Sequence, residues 1–341
     1  EPNDPNRGDV HYWEVWHGNK PFSEYRKYFF RYASEFGFQS FPSVKTLETV
    51  TDDPRELNPF SYVMEKHQRN YGGNGKIAKY MQAAYRYPEN FIDFVYASQL
   101  LQADGIRYGV EHYRRNRGRC MGAIYWQLND CWPVISWSSI DYYGRWKALH
   151  YYAKRFFAPV MLSCEEQSWM TVEADMNRQH FEFEKSIRLN VTNETLDAHR
   201  VLVKWAVRKT DATILREEEQ WLEVPALSAV WMDKVELPQI DCFNEYVSYE
   251  AWENDQIISQ GTVIFSYPKY FHYLNPGLAV RVDGDEIVVK AEAYAKSVEI
   301  RNENDDLILE DNYFDMNAGE YRVKILDGKP DGLKVRSVYD I

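Results

Sequence analysis

Phe30-Arg-Tyr-Ala-Ser-Glu-Phe-Gly-Phe-Gln-Ser40 is the stretch on which the reading of the first half of this chain turns. Phe30 to Ser34 is apolar and aromatic enough to predict a buried strand. Glu35 then stands where that strand gives way to a turn containing Gly37. In parallel sheets, the carboxyl ends of strands are where ligands and catalytic groups collect. A glutamate at a strand end also suits plain solvation, so position alone leaves both roles open. A short helix is predicted from about Ser43.

The same alternation continues downstream. Asn90 is placed to cap a helix from Phe91 to about Tyr113, with Phe91, Phe94, Val95, Leu100, Leu101 and Ile106 on a broad apolar face. Its end carries Arg114, Arg115, Arg117 and Arg119, cations that suit the carboxyl end of a helix dipole. Gly122-Ala-Ile-Tyr-Trp126 predicts a strand, and Arg145 to about Phe157 a further helix. Helix, strand and helix in that order predict βα units of a parallel barrel or doubly wound sheet. After Ala158-Pro159 the pattern turns to β. Ile187–Val191, Val201–Val207, Val247–Trp252 and Ile257–Phe265 alternate like half-buried strands of a sandwich of roughly 100 residues. Tyr267-Pro268-Lys269 breaks the pattern. Leu278–Val282, Glu286–Val289 and Ser297–Ile300 resume it as a second, smaller sandwich. The predicted divisions are therefore 1–158, 159–267 and 268–341.

Composition narrows the function. The 341 residues carry 52 acidic against 40 basic side chains, a net charge of −12, which argues against nucleic acid or an anionic membrane as partner. No apolar run is long enough to span a bilayer, and the first residues, Glu1 to Asn6, lack the apolar core of a signal peptide. Aromatic residues make up 16% of the chain. Their rings stack on the apolar faces of sugars, so carbohydrate is the first candidate ligand. Cys120, Cys131, Cys164 and Cys242 form no CxxC pair and read as free thiols of an intracellular, cytoplasmic protein. Asn190-Val-Thr192 and Asn193-Glu-Thr195 match the glycosylation pattern, which is common by chance.

Two further segments carry chemistry. Asp9-Val-His-Tyr-Trp-Glu-Val-Trp-His-Gly18 packs aromatic, imidazole and carboxylate groups together, too polar for plain core and suited to a ligand-facing strand end. Trp126-Gln-Leu-Asn-Asp-Cys-Trp-Pro133 offers a ring platform with amide and carboxylate edges. Gly72-Gly-Asn-Gly-Lys76 lacks the Ser or Thr of a phosphate-binding loop and is predicted to be a flexible loop. With no GxSxG, HExxH or spaced histidine cluster, no metal or cofactor site is predicted.

These three segments, in this order, resemble the β-mannosidases of glycoside hydrolase family two. Ser34-Glu-Phe-Gly-Phe-Gln-Ser40 looks like the nucleophile segment, and His11-Tyr-Trp-x-Val-Trp-His-Gly18 is similar to the segment before it. Tyr125-Trp-Gln-Leu-Asn-Asp-x-Trp-Pro133 looks like the last barrel strand. Glu310-Asp-Asn-Tyr-Phe-Asp315 extends the likeness into the small C-terminal domain. The resemblance implies the C-terminal part of a TIM (β/α)8 barrel followed by two immunoglobulin-like β-sandwiches. It implies a retaining exo-hydrolase of terminal β-linked mannose, with Glu35 as nucleophile. It also implies substrate contacts from His11, Trp13, Trp16, Trp126, Gln127 and Asp130. Related exo-hydrolases acting on glucosamine or galactose are alternatives within this reading, and a non-catalytic carbohydrate-binding fragment is one outside it.

One departure stands out. The family's general acid/base is the Glu of an Asn-Glu pair on an earlier barrel strand. Here Asn-Glu occurs only at Asn193-Glu194, Asn244-Glu245 and Asn302-Glu303, all in the β-rich part. The expectation is a chain that lacks the family's N-terminal domains and first barrel strands. Its partners would be a mannoside, and either the missing part or a second copy.

Overall fold

Residues 3–172 and 182–341 are described in the computed structural model. Among them, β1 (Val10–His11), β2 (Ala33–Phe36) and β3 (Ala123–Tyr125) form a parallel sheet in that order. The register pairs Val10 with Ala33, Ala33 with Ala123 and Phe36 with Tyr125. β2 begins three residues later than its pattern predicts, so Glu35 lies inside the strand and not beyond it. The aromatic run before it is used for packing. Phe30 stacks on Tyr28 with ring centroids 5.5 Å apart and meets Tyr113 at 5.8 Å. The backbone there still pairs, with Arg31 O accepting from Met121 N at 2.8 Å and Tyr32 O from Val10 N at 2.9 Å.

Helices α1 (Val44–Leu47), α2 (Tyr62–Lys66), α3 (Gly73–Ala84), α4 (Phe91–Arg115) and α5 (Ala148–Phe156) accompany the sheet. α4 starts where predicted, its cap Asn90 accepting from Asp93 N at 3.0 Å. The glycine-rich stretch read as a flexible loop instead starts α3. Gly72 takes a left-handed φ of 71° as the cap, and Gly73 leaves room for Gln39, whose Oε1 would lie 2.5 Å from any Cβ there. Asn74 then fixes the turn by donating to Pro59 O at 2.7 Å. α5 is shorter than predicted, because Arg145 to Lys147 run extended. Arg145 N is tied to Asp141 Oδ1 at 3.0 Å, and Lys147 has ψ of 166°. No described helix is long and apolar enough to cross a membrane.

Of the arginines at and just after the end of α4, Arg115 and Arg117 dock the next unit, Arg114 binds the end of α5, and Arg119 binds Phe29 O at 2.9 Å. Arg114 donates to Phe156 O at 2.6 Å. Arg115, fully buried, reaches Glu111 and Cys164 O, both at 3.4 Å, and Arg117 pairs with Glu194 at 2.9 Å. That unit is a β-sandwich. One sheet contains Val160–Gln167, Ser186–Asn193 and Ser228–Trp231. The other contains Gln256–Ile264, Glu245–Glu253, His199–Lys209 and Ile214–Val224. Alternate residues Val201, Val203, Trp205 and Val207 line the core beside Val247, Tyr249 and Ala251 of the adjacent strand, as period-two patterning requires. Asn190 and Asn193 of the two glycosylation patterns are fully buried. The Asn193 amide also donates to Asp197, Val224 and Pro225 carbonyls.

A second sandwich pairs Ala279–Asp283, Glu286–Ala291, Gly319–Asp327 and Ile308–Leu309 in one sheet. Phe314–Met316, Ala295–Arg301 and Lys334–Arg336 form the other. It shares a continuous apolar core with the parallel unit. Tyr96 of α4 donates to Ser297 O at 2.5 Å, and Arg336 pairs with Asp93 at 2.9 Å. The Glu310–Asp315 motif is the clasp. Arg155 of α5 binds the Asp311 carboxylate and the carbonyls of Asn312 and Tyr313. Asp315 accepts from Thr262 of the first sandwich, from Ser297 N at 2.8 Å and from Lys296 Nζ at 3.2 Å.

Burial alone would raise the Asp315 pKa, but Lys296 and these hydrogen bonds hold it below the ordinary carboxylate value. A depressed folded pKa adds stability that is complete above about pH 4, the unfolded value, and is lost as pH falls through the folded one. Asp315→Asn should therefore flatten the acid limb of the stability profile. At neutral pH it should cost about 3–5 kcal/mol, the range for removing one partner of a buried pair. Urea titrations between pH 3 and 7 check this, and parallel acid limbs for both proteins would contradict it.

Candidate active site

The site forms where β1, β2 and β3 end. Tyr12 N donates to Glu35 O at 2.7 Å, which holds the exit of β1 beside Glu35. One residue on, Trp13 Nε1 donates to Glu35 Oε1 at 2.8 Å. His11 Nδ1 lies 3.7 Å from the same oxygen. The Glu35 side chain remains 25% exposed, so one indole N–H orients it without sealing it off. Asp9 braces β2 by accepting from Ser34 Oγ at 2.5 Å, and that bond lowers the Asp9 pKa.

Behind this face lies a wall of indoles. Trp13 meets Trp137 edge-on at 5.9 Å, and Trp137 meets Trp16 at 6.2 Å. Trp16, expected to contact substrate, is fully buried instead. Its ring meets Phe38 edge-on at 5.0 Å, and Lys76 Nζ lies 5.4 Å over it, so it backs the wall and offers no face to a ligand. Trp137, nine-tenths buried beside Trp13, was not singled out in the sequence. Its segment, Val134 to Ser139, has no alternation or motif to mark it.

Gly37 sets the spacing between the strands. A Cβ there would lie 2.4 Å from Trp126 O, 3.0 Å from the Trp13 ring and 3.1 Å from the Trp137 ring. Trp126 continues β3 by donating its N–H to Phe36 O at 2.8 Å. The peptide after it is cis, and Trp126 is 44% exposed.

Gln127 and Asp130, predicted as substrate contacts, are engaged within their own loop. Gln127 Nε2 donates to Asn129 O at 2.9 Å and to Asp130 Oδ1 at 3.3 Å. Both Asp130 oxygens accept from serine hydroxyls, Ser136 at 2.7 Å and Ser138 at 2.5 Å. Such a carboxylate shapes a turn more than it meets a sugar. Beneath lies a residue the sequence concealed inside a predicted helix. Lys147, 1% exposed, donates to Ser40 O at 3.3 Å. Burial pushes its pKa down to about 8, against the pull of Asp130 and Asp141. Among the described residues, no group of three or more His, Cys, Asp or Glu is placed to hold a metal ion.

Fold and site together define the class: a parallel β/α unit carrying two sandwiches, with an indole-lined carboxylate at its strand ends. Residues 185–270 match the Mannosidase Ig/CBM-like domain family, and residues 273–341 match an Ig-fold domain family of mannosidases. Beta-mannosidase B of Thermothelomyces thermophilus is 30% identical over 361 residues, an alignment covering 97% of this chain and 41% of that protein. The crystal structure of a β-D-mannosidase from Dictyoglomus thermophilum superposes with a TM-score of 0.84 at 26% identity, over 98% of this chain and 41% of that one. An Amycolatopsis orientalis exo-chitosanase shares the fold at 15% identity, with a TM-score of 0.65 over 93% of this chain and 45% of that one. Along nearly its whole length the chain is similar to β-mannosidases. It spans about two-fifths of the length of the curated relatives it matches end to end.

The contacts around Gly37 yield a direct test. Gly37→Ala forces the Trp126 carbonyl and the Trp13 ring away from β2, an overpacking that should cost about 1–3 kcal/mol. Thermal unfolding and tryptophan fluorescence should both change. An unaltered midpoint and emission spectrum would contradict the close approach.

Proposed function

We propose that this chain supplies the nucleophile of a retaining exo-β-mannosidase, and that Glu35 is that nucleophile. The observation that carries the reading is the Trp13 Nε1–Glu35 Oε1 bond at 2.8 Å. It fixes one carboxylate oxygen and leaves the other to attack the anomeric carbon of a terminal β-linked mannose. Trp13 and Trp126 flank the cleaved sugar, with His11 at its edge. The names of the relatives it matches over most of its length support mannose over glucosamine or galactose.

On this reading the parallel unit is the C-terminal part of a (β/α)8 barrel, 1–158, followed by immunoglobulin-like units at 159–267 and 268–341. A retaining hydrolase also needs a carboxyl group roughly 5–5.5 Å from the nucleophile to protonate the leaving oxygen. The chain's Asn-Glu pairs do not supply it. Asn193 is buried and Glu194 pairs with Arg117, while Asn302 is buried at the edge of the second sandwich. Glu245 accepts from Asp241 N at 3.0 Å within the first sandwich. The proton donor therefore belongs to a part of the parent protein beyond these 341 residues. β1 and β3 end the sheet with open edges, where that part, or a second copy, would pair.

Two outcomes are expected. With the remaining part of the parent present, a 2-deoxy-2-fluoro-mannosyl donor should leave a stable adduct on the peptide spanning Tyr32–Ser40. Mass spectrometry finding it on Glu14 or Asp130 would reassign the nucleophile. Alone, the chain should turn over alkyl β-mannosides at a negligible rate, because general-acid assistance contributes about 10²–10⁴-fold. Clean turnover by the isolated chain would refute the absent proton donor.

A further inference from the structure

Asp104, Arg107 and Glu111 follow one another at helical spacing, so they share one face of α4. The opposite face meets the sheet. There Gln102 Nε2 donates to Phe38 O at 2.9 Å, and the Phe36 ring lies 3.0 Å from where a Cβ on Gly109 would stand. α4 therefore stands between its charged face and the strands that carry Glu35. In front of the charged face lies a cavity of about 320 Å³. Its other walls are Tyr152 and Arg155 of α5, residues 257–262 of the first sandwich, and residues of the second between 310 and 323. All three units thus meet around it.

We propose that this cavity binds a neutral, polyhydroxylated molecule of monosaccharide size, at a second site separate from Glu35. The proposal stands apart from the role given to Glu35. The lining carries five acidic and five basic side chains, so a small ion of either sign meets repulsion as well as attraction. A molecule rich in hydroxyl groups gains from both signs, donating to carboxylates and accepting from guanidinium groups. Aromatic surface for the apolar side of a ring comes from Tyr152, Tyr321 and Phe314. The volume sits at the lower end of the range for ligand pockets, roughly 300–1,000 Å³, which suits one ring and not a chain of several.

Much of the charge here already clasps the second sandwich, through Arg155 with Asp311 and Lys296 with Asp315. Three side chains keep unused hydrogen-bonding capacity. Tyr249, 4% exposed, reaches over Gly261, where any Cβ would lie 2.5 Å from its hydroxyl oxygen. The glycine gives that hydroxyl room at the cavity wall, yet it forms no hydrogen bond with any described residue. A buried phenol without a partner is costly. Burial also raises its pKa well above the ordinary value, so it keeps its proton as a donor. Arg107 donates one hydrogen bond, to Asp104 Oδ1 at 3.2 Å, and the rest of its fork remains for a ligand. Glu111 accepts on Oε2 from Arg115 at 3.4 Å, which leaves Oε1 without a hydrogen bond from any described residue. One phenol donor, one guanidinium and one carboxylate oxygen are what a ring bearing several hydroxyl groups can satisfy together.

The test is ligand-observed NMR titration of the full chain with D-mannose, with myo-inositol and with inorganic phosphate. Myo-inositol has no anomeric carbon for Glu35 to attack. At least one of the two polyols should bind at a site that Glu35→Gln leaves intact, and phosphate should not compete for it. Tyr249→Phe should weaken that binding about three- to tenfold, as loss of one hydrogen bond does, without lowering the Tm of the free chain. Arg107→Gln should weaken it as well. A tyrosine that only packs would give a Tyr249→Phe chain with unchanged affinity, and that result would overturn the proposal. So would displacement of the polyol by phosphate, or polyol binding that Glu35→Gln abolishes, or no binding of either polyol.

Discussion

The hydrogen bond from the Trp13 indole to Glu35 is the contact on which the site depends, and it exists only because of strand register. β1 pairs with β2 so that Tyr12 N meets Glu35 O, which delivers the next side chain to the Glu35 carboxylate. Gly37 then lets β3 close in, bringing the Trp126 carbonyl where any Cβ would exclude it. A side chain that must act on a substrate needs a geometry fixed in advance, and here backbone pairing supplies most of it.

The rest of the molecule holds that register steady. Buried Lys147 ties down the segment after β2 at Ser40 O, while Asp130 and its two serines fix the loop that leaves β3. The sandwiches add rigidity by a different route. Arg115 and Arg117, at and just beyond the end of α4, bind the first, and Arg155 of α5 clasps the Asp311–Tyr313 segment of the second. Polar and ionic contacts thus join units whose apolar cores already touch, and they fix orientation more than they add net stability.

Much of this was legible in the sequence, where one pattern dominated locally. α4 and the sandwich strands announce themselves through cap and periodicity, and Asn90 and Val201–Val207 stand where they were predicted. β2 did not, because a run of aromatic residues reads as strand whether it lies in a sheet or packs beside one. Trp13 meets the Glu35 carboxylate, and the Trp126 backbone pairs with Phe36 beside it. Trp16 shows the limit of motif reading: the pattern names the residue, and only packing tells a wall from its backing. Trp137 and Lys147 were invisible because their roles come from contacts far along the chain. The glycines that open α3 escape a local reading because the close approach of Gln39 to Gly73 is a tertiary constraint.

The central claim is that Glu35 attacks the sugar, and the stereochemistry of azide rescue tests it most directly. Glu35→Ala, complemented by the remaining part of the parent protein, would be given dinitrophenyl β-mannoside and azide. A missing nucleophile lets azide enter the vacated space and displace the leaving group once, so the account predicts α-mannosyl azide. β-Mannosyl azide would mean that Glu35 is the acid/base and that the nucleophile lies elsewhere.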